Sequence, residues 1–124
     1  MKSKVGTRLV PSLLAADLAE TIAFYLKVGF KLDDTHPKDG LPTWAALVRD
    51  GITLMFYSEA PTGTPDHPIC SGTLYLYPEN LDALMAELEG VVPFAWGPEV
   101  MPYGMREFAI QDPNGYHLAF VEPP

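Results

Sequence analysis

Apolar and polar positions are most sharply ordered between Tyr103 and Glu122, YGMREFAIQDPNGYHLAFVE. Two apolar runs, Phe108-Ala109-Ile110 and Tyr116 to Val121, flank Asp112-Pro113-Asn114-Gly115. Asp at the first turn position can accept a backbone N–H, Pro presets φ, Asn tolerates the third position, and Gly supplies a positive φ. The pattern predicts a β-hairpin closed by a type I turn with a glycine bulge. An earlier stretch has the same form: Trp44 to Arg49, then Asp50-Gly51, then Ile52 to Tyr57.

Each hairpin is preceded by a strand-like run and a helix-like run. Leu9 to Ala15 reads as a strand, with Pro11 tolerable near its start or on an edge. Asp17 is placed to cap a helix, Glu20 stands at capping-box spacing, and Leu18, Ile22, Tyr25 and Leu26 recur at helical intervals before Gly29. Phe30 and Leu32 then alternate with polar neighbours as a strand, and His36 to Gly40 reads as a polar loop. Ala60 to Ser71 is rich in Pro, Gly and Thr and reads as a connector. Gly72 to Tyr77 predicts a strand, and Asn80 caps a helix striped by Leu81, Leu84, Met85 and Leu88 and closed by Gly90. Val91 to Trp96 begins the next strand, and Pro98 and Pro102 bracket a loop.

The chain thus reads as one βαβββ unit written twice within a single domain over residues 1–124. Module one spans 7–58, the connector 59–71 and module two 72–122. The predicted class is α+β: curved, mainly antiparallel sheets with helices on the outer face and a concave, partly apolar opposite face.

Composition narrows the function. The net charge is -8, from 16 acidic against 8 basic residues, which argues against nucleic acid and anionic membranes as partners and favours cationic small molecules. Cys70 is alone, so neither an internal disulfide nor a thiolate metal cage is expected. The first residues carry no apolar signal core and no run reaches membrane-spanning length, so a cytoplasmic location is expected.

Val10-Pro11-Ser12-Leu13-Leu14-Ala15-Ala16-Asp17, Phe24-Tyr25, Gly29-Phe30, and Met105-Arg106-Glu107-Phe108 running into Asp112-Pro113-Asn114-Gly115 together resemble the vicinal oxygen chelate superfamily. This group holds glyoxalase I, extradiol dioxygenases, fosfomycin resistance enzymes and bleomycin resistance proteins. Its metal enzymes take His, Gln or Glu ligands from the strands of both modules. Carried over, those positions fall on Val10, Thr73 and Phe120, with a fourth at Leu54 or Met55. None offers the imidazole, carboxylate or thiolate donors that such metals need. No metal or other cofactor is therefore expected, and His36, His67 and His117 have no local ligand spacing that would rebuild a site.

Within the superfamily the closest likeness is to the bleomycin resistance proteins, which are small, acidic, dimeric and non-catalytic. The resemblance implies a homodimer that sequesters a bleomycin-like ligand, with Tyr103 standing where those proteins place a stacking aromatic. Lys31-Leu32-Asp33-Asp34 departs from their pattern, which has aromatics there.

Strand alternation gives the concave face its own expected lining. Phe120, Leu118 and Tyr116 are expected on it, as are Val10, Ser12 and Leu14, then Thr73, Tyr75 and Tyr77. His117, Ala119 and Val121 are expected against the helices. The candidate ligand-binding residues are Trp44, Tyr57, Tyr75, Trp96, Tyr103, Glu107 and Phe120. Glu107 is a carboxylate among apolar strand residues and demands a partner; Arg106 points to the other face. No catalytic residue is assigned, and the reading leans away from an enzyme. The alternatives are a lyase, dioxygenase or isomerase of the same fold with displaced or absent metal ligands, and a protein-binding structural or regulatory partner.

Overall fold

A computed structural model describes residues 3–59 and 65–123; residues 60–64 of the expected connector lie outside the described residues. Ten elements follow in order: β1 (Ser12–Leu14), α1 (Leu18–Lys27), β2 (Lys31–His36), β3 (Trp44–Arg49), β4 (Ile52–Tyr57), β5 (Thr73–Leu76), α2 (Leu81–Leu88), β6 (Trp96–Val100), β7 (Arg106–Gln111) and β8 (His117–Glu122). They form two four-stranded sheets of identical topology, β1-β4-β3-β2 and β5-β8-β7-β6. In each, the strand before the helix pairs parallel with the last strand of the unit, and the other pairings are antiparallel. The fold is α+β, as expected.

Local chemistry accounts for the element ends. Asp17 accepts the Glu20 amide at 3.0 Å and opens α1. Asn80 accepts the Ala83 amide at 3.0 Å and opens α2. In the last hairpin the Gly115 amide donates to Asp112 O at 3.1 Å, and Gly115 takes φ +93. That is the type I turn with its glycine bulge. Asp50, not a glycine, takes the positive φ of the first hairpin, +54.

Three boundaries differ from the sequence expectation. β1 is only three residues long. β2 runs on to His36, into the expected polar loop, because this edge strand needs only backbone pairing with β3 and leaves its side chains largely in water. Val91 and Val92 belong to the exit of α2, with both amides donating to Leu88 O, and the strand starts at Trp96 instead. Pro98 therefore lies inside β6, which tolerates it as an edge strand whose register shifts between Trp96 and Glu99.

The buried side chains of both modules join in one cluster that includes Tyr25, Phe30, Leu47, Phe56, Leu81, Leu88, Phe108, Ile110, Leu118 and Phe120. The last four lie on the covered side of the second sheet. The alternation expected for β8 is thus reversed. Phe120 packs on Phe108 with ring centroids 5.0 Å apart, and Tyr116 donates its hydroxyl to Leu14 O at 2.9 Å. His117, Ala119 and Val121 take the open face, paired with Gln111, Ala109 and Glu107.

Polar contacts tie the modules together. Tyr25 on α1 donates to Asp112 Oδ2 at 2.8 Å, Asn114 Oδ1 accepts the Ala16 amide at 2.9 Å, and Asn114 Nδ2 donates to Thr21 Oγ1 at 3.0 Å. Arg49 of β3 makes a two-pronged pair with Glu87 of α2 at 2.7 and 2.8 Å.

Candidate ligand-binding site

The open face of the second sheet carries a buried carboxylate. Glu107 sits in β7 on the face opposite Phe108 and Ile110, level with Val121 of β8, and is fully shielded from water. Trp96 Nε1 donates to Glu107 Oε2 at 2.8 Å, and the Tyr103 hydroxyl donates to Oε1. The partner that the sequence left open is this pair of neutral donors. Among the described residues no cationic side chain forms an ion pair with Glu107. Arg106 turns away to Glu122 at 2.7 Å and Asp82 at 2.9 Å.

The two donors are aimed by backbone features. Gly97, with φ +76, lets β6 approach β7 so closely that a Cβ there would sit 2.3 Å from Glu107 O. The approach sets Trp96 level with Ala109, beside the carboxylate. Tyr103 comes from the loop joining β6 to β7, a tight turn in which the Gly104 amide donates to Met101 O at 2.8 Å and the Met101 amide to Met105 O at 2.9 Å. Its hydrogen bond to Glu107 raises the Tyr103 phenol above its ordinary pKa, helped by the nearby Tyr75 hydroxyl. The Trp96 indole lies against the His117 imidazole, ring centroids 5.1 Å apart. Thr73 and Tyr75 of β5, level with His117 and Ala119, extend the same face.

Of the seven candidate residues, Tyr75, Trp96, Tyr103 and Glu107 are brought together here. Trp44 and Tyr57 are cross-strand partners on the open face of the first sheet, where Met55 lies opposite Ala46. Phe120 does not share the open face; it faces the core. His117 belongs to the cluster and was expected on the covered side. The signal that would have found it is its parity with Glu107 and Ala109 across the hairpin.

The positions that hold metal in the superfamily can be tested directly. Val10 lies just before β1, Met55 rather than Leu54 takes the open face, and Thr73 opens β5. With Phe120 turned inward, its open-face neighbours are Ala119 and Val121. None of these side chains supplies an imidazole or a carboxylate. Glu107 and His117 share the face, but both Glu107 oxygens are already engaged. Among the described residues no three His, Cys, Asp or Glu side chains converge. The residues at the ligand positions do not fit a divalent cation. His67 pairs with Asp66 at 2.9 Å, and the exposed Cys70 thiol donates to Gly72 O at 3.3 Å.

Two hollows lie at the seam between the modules. One of about 690 Å³ is lined by Phe30, Arg49, Ile52, Leu84, Glu87 and Phe120 among others. The other, about 430 Å³, lies between Val10, Thr53, Tyr75 and Tyr77. Trp44, Tyr57, Trp96, Tyr103 and Glu107 line neither.

Two repeated βαβββ units, each leaving one sheet face clear of its helix, define the class of protein. The chain belongs to the Glyoxalase/Bleomycin resistance protein/Dioxygenase superfamily, whose family model matches residues 9–120. Among solved structures it is similar to a bleomycin-binding protein complexed with bleomycin, at 20% identity and a TM-score of 0.73 over 96% of this chain and 100% of that one. A bleomycin resistance determinant encoded on the transposon Tn5 aligns at 21% identity and TM-score 0.71 over 94% and 98%. Lactoylglutathione lyase from Agrobacterium tumefaciens aligns at 20% identity and TM-score 0.67 over 96% of each chain. At these identities the likenesses show a shared fold. A comparison with curated protein sequences finds no match. Among the described residues no helix is long and apolar enough to cross a membrane.

Proposed function

We propose that this protein is a metal-free binding protein of the bleomycin-resistance type, which sequesters a flat, cationic organic molecule against the open face of its second sheet. The observation that carries this reading is Glu107: a fully buried carboxylate, set among aromatic rings, with hydrogen-bond donors but, among the described residues, no counter-charge. Burying a carboxylate without an opposite charge is costly, and a cationic guest would supply that charge. Tyr75, Tyr103 and Trp96 offer rings for stacking, where a cation over an aromatic face gains roughly 0.5–2 kcal/mol. The chain's net charge of -8 favours the approach of such a guest.

A second copy of the chain completes the site in this proposal. Trp44, Met55 and Tyr57 leave a half-exposed apolar surface on the first sheet, and Tyr75 and Tyr103 leave another on the second. Covering these faces would enclose Trp96, Tyr103 and Glu107, which line neither seam hollow. A cytoplasmic site of action accords with the lone exposed thiol of Cys70. Because two structural neighbours are named for bleomycin, that cationic drug is the first ligand to test, with drug resistance as the consequence.

The test is titration with metal-free and copper-bound bleomycin while following tryptophan fluorescence, because Trp96 touches Glu107. A saturable change is expected. None up to about 100 μM, an affinity weaker than about -5.5 kcal/mol, would discard bleomycin as the ligand. Metal analysis of the purified protein addresses the enzyme alternative. Stoichiometric zinc, iron, nickel or manganese released only by a chelator would overturn the metal-free reading.

A further inference from the structure

We propose that Glu107 Oε1 makes the site prefer flat cations bearing an N–H group over flat cations that lack one, and that the Tyr103 hydroxyl is a built-in competitor for the ligand's own hydrogen-bond donor there, which holds that preference in check. This rests on the binding reading above and deepens it.

The two oxygens of Glu107 are held very differently. Oε2 accepts from Trp96, which stands in β6 beside the close Gly97 approach to β7 and whose ring lies against the His117 imidazole. Oε1 accepts from Tyr103, which stands on a loop outside any strand and is half exposed. The first donor is part of the sheet. The second can swing aside by rotating its own side chain, and the Tyr75 hydroxyl beside it offers the displaced phenol another partner.

What would replace it follows from the chemistry of the carboxylate. A phenol gives Glu107 a hydrogen bond but no positive charge. An ammonium, amidinium or ring N–H cation gives both, and hydrogen bonds between charged groups are stronger than those from a neutral hydroxyl. A cation without an N–H can feel the charge of Glu107 but cannot take the hydrogen-bonding place of Tyr103. Discrimination between the two kinds of guest therefore resides in Oε1.

Tyr103→Phe keeps the ring and removes the competing hydroxyl. Two planar dyes serve as probes: proflavine, a cation with N–H groups, and N-methylacridinium, a cation without them. Dissociation constants are read by fluorescence titration against wild type, Tyr103→Phe and Glu107→Gln, the last preserving the shape of the side chain. Removing the hydroxyl is expected to tighten proflavine by about fivefold or more and to shift N-methylacridinium by less than about twofold. Glu107→Gln is expected to abolish the preference for proflavine. If both dyes shift by the same factor in Tyr103→Phe, or if proflavine weakens, the competitor role is overturned while the binding site stands. If neither dye binds the wild type or either variant, the binding reading and this inference fall together.

Discussion

Two buried acids stand five residues apart, one at the start of β7 and one just past its end, and they are held differently. Asp112 accepts three hydrogen bonds, from the Tyr25 hydroxyl and from the Asn114 and Tyr116 amides. Its donors come from the turn itself and from the helix of the other module, so it joins the two halves of the fold. Glu107 accepts from only two side chains, an edge-strand indole and a loop phenol, on a face that no helix covers. Burial alone therefore does not mark a functional carboxylate. In the reading proposed above the origin of the donors does: local backbone and core helix for a structural acid, a sheet-edge indole and a displaceable loop phenol for one that would meet a ligand.

Substitutions should separate the two roles. Asp112→Ala leaves the buried Tyr25 hydroxyl and two turn amides without an acceptor, and should lower stability by about 3 kcal/mol in chemical denaturation. Asp112→Asn keeps an acceptor and should lose only about 1 kcal/mol. Glu107→Ala strands the Trp96 N–H, but that ring is half-buried and the Tyr103 hydroxyl reaches water, so its loss of stability should be nearer 1 kcal/mol. Proflavine affinity should order the variants the other way, with Glu107→Ala losing about tenfold or more and Asp112→Asn close to wild type. Equal losses of stability, or a dye affinity that follows Asp112, would erase the distinction.

A smaller effect comes from pH. Burial holds the Asp112 carboxyl above its ordinary pKa, outweighing the hydrogen bonds from Tyr25, Tyr116 and Asn114 that pull it down. Between the unfolded value, about 3.9, and the raised folded value, the folded state binds more protons than the unfolded. The contribution of Asp112 to stability is therefore largest at low pH and declines as pH rises through that window. Other carboxylates act in the opposite sense, so the readout is a difference. Wild-type stability minus that of Asp112→Asn should fall from pH 4 upward; a flat or rising difference would contradict the assignment.

How far the molecule was legible in its sequence depended on whether the signal was local. Both hairpins, both helix caps and the twofold unit could be read, because Asp50-Gly51, Asp112-Pro113-Asn114-Gly115, Asp17 and Asn80 act on their own backbone. The phase of β8 could not. Leu118, Ala119, Phe120 and Val121 are all buried, so both faces of that strand are apolar and alternation has no contrast to register. β7 gave its phase away because Glu107 is the one polar residue between Arg106 and Gln111. The donors to Glu107 were beyond reach for another reason: Trp96 lies across a register shift in β6, which breaks the two-residue period that would have aimed it.

The smallest predicted effect tests whether a third acid belongs with Asp112 or with neither. Glu87 of α2 meets Arg49 of β3 across the seam, and the same guanidinium donates to Val28 O at 2.7 Å. The Arg49 hydrogen bond holds the Glu87 carboxyl below its usual pKa. The stability this pair contributes is thus present above the unfolded carboxylate pKa and is lost as pH falls through the folded one. Yet Glu87 is half exposed, so water and salt screen the pair and Arg49 keeps its bond to Val28 without it. Glu87→Gln should therefore lower stability by only about 0.5 kcal/mol, less still in 1 M salt, and leave proflavine affinity unchanged. A loss as large as that of Asp112→Ala, or a change in dye binding, would mean that the modules are held by this pair as much as by the turn.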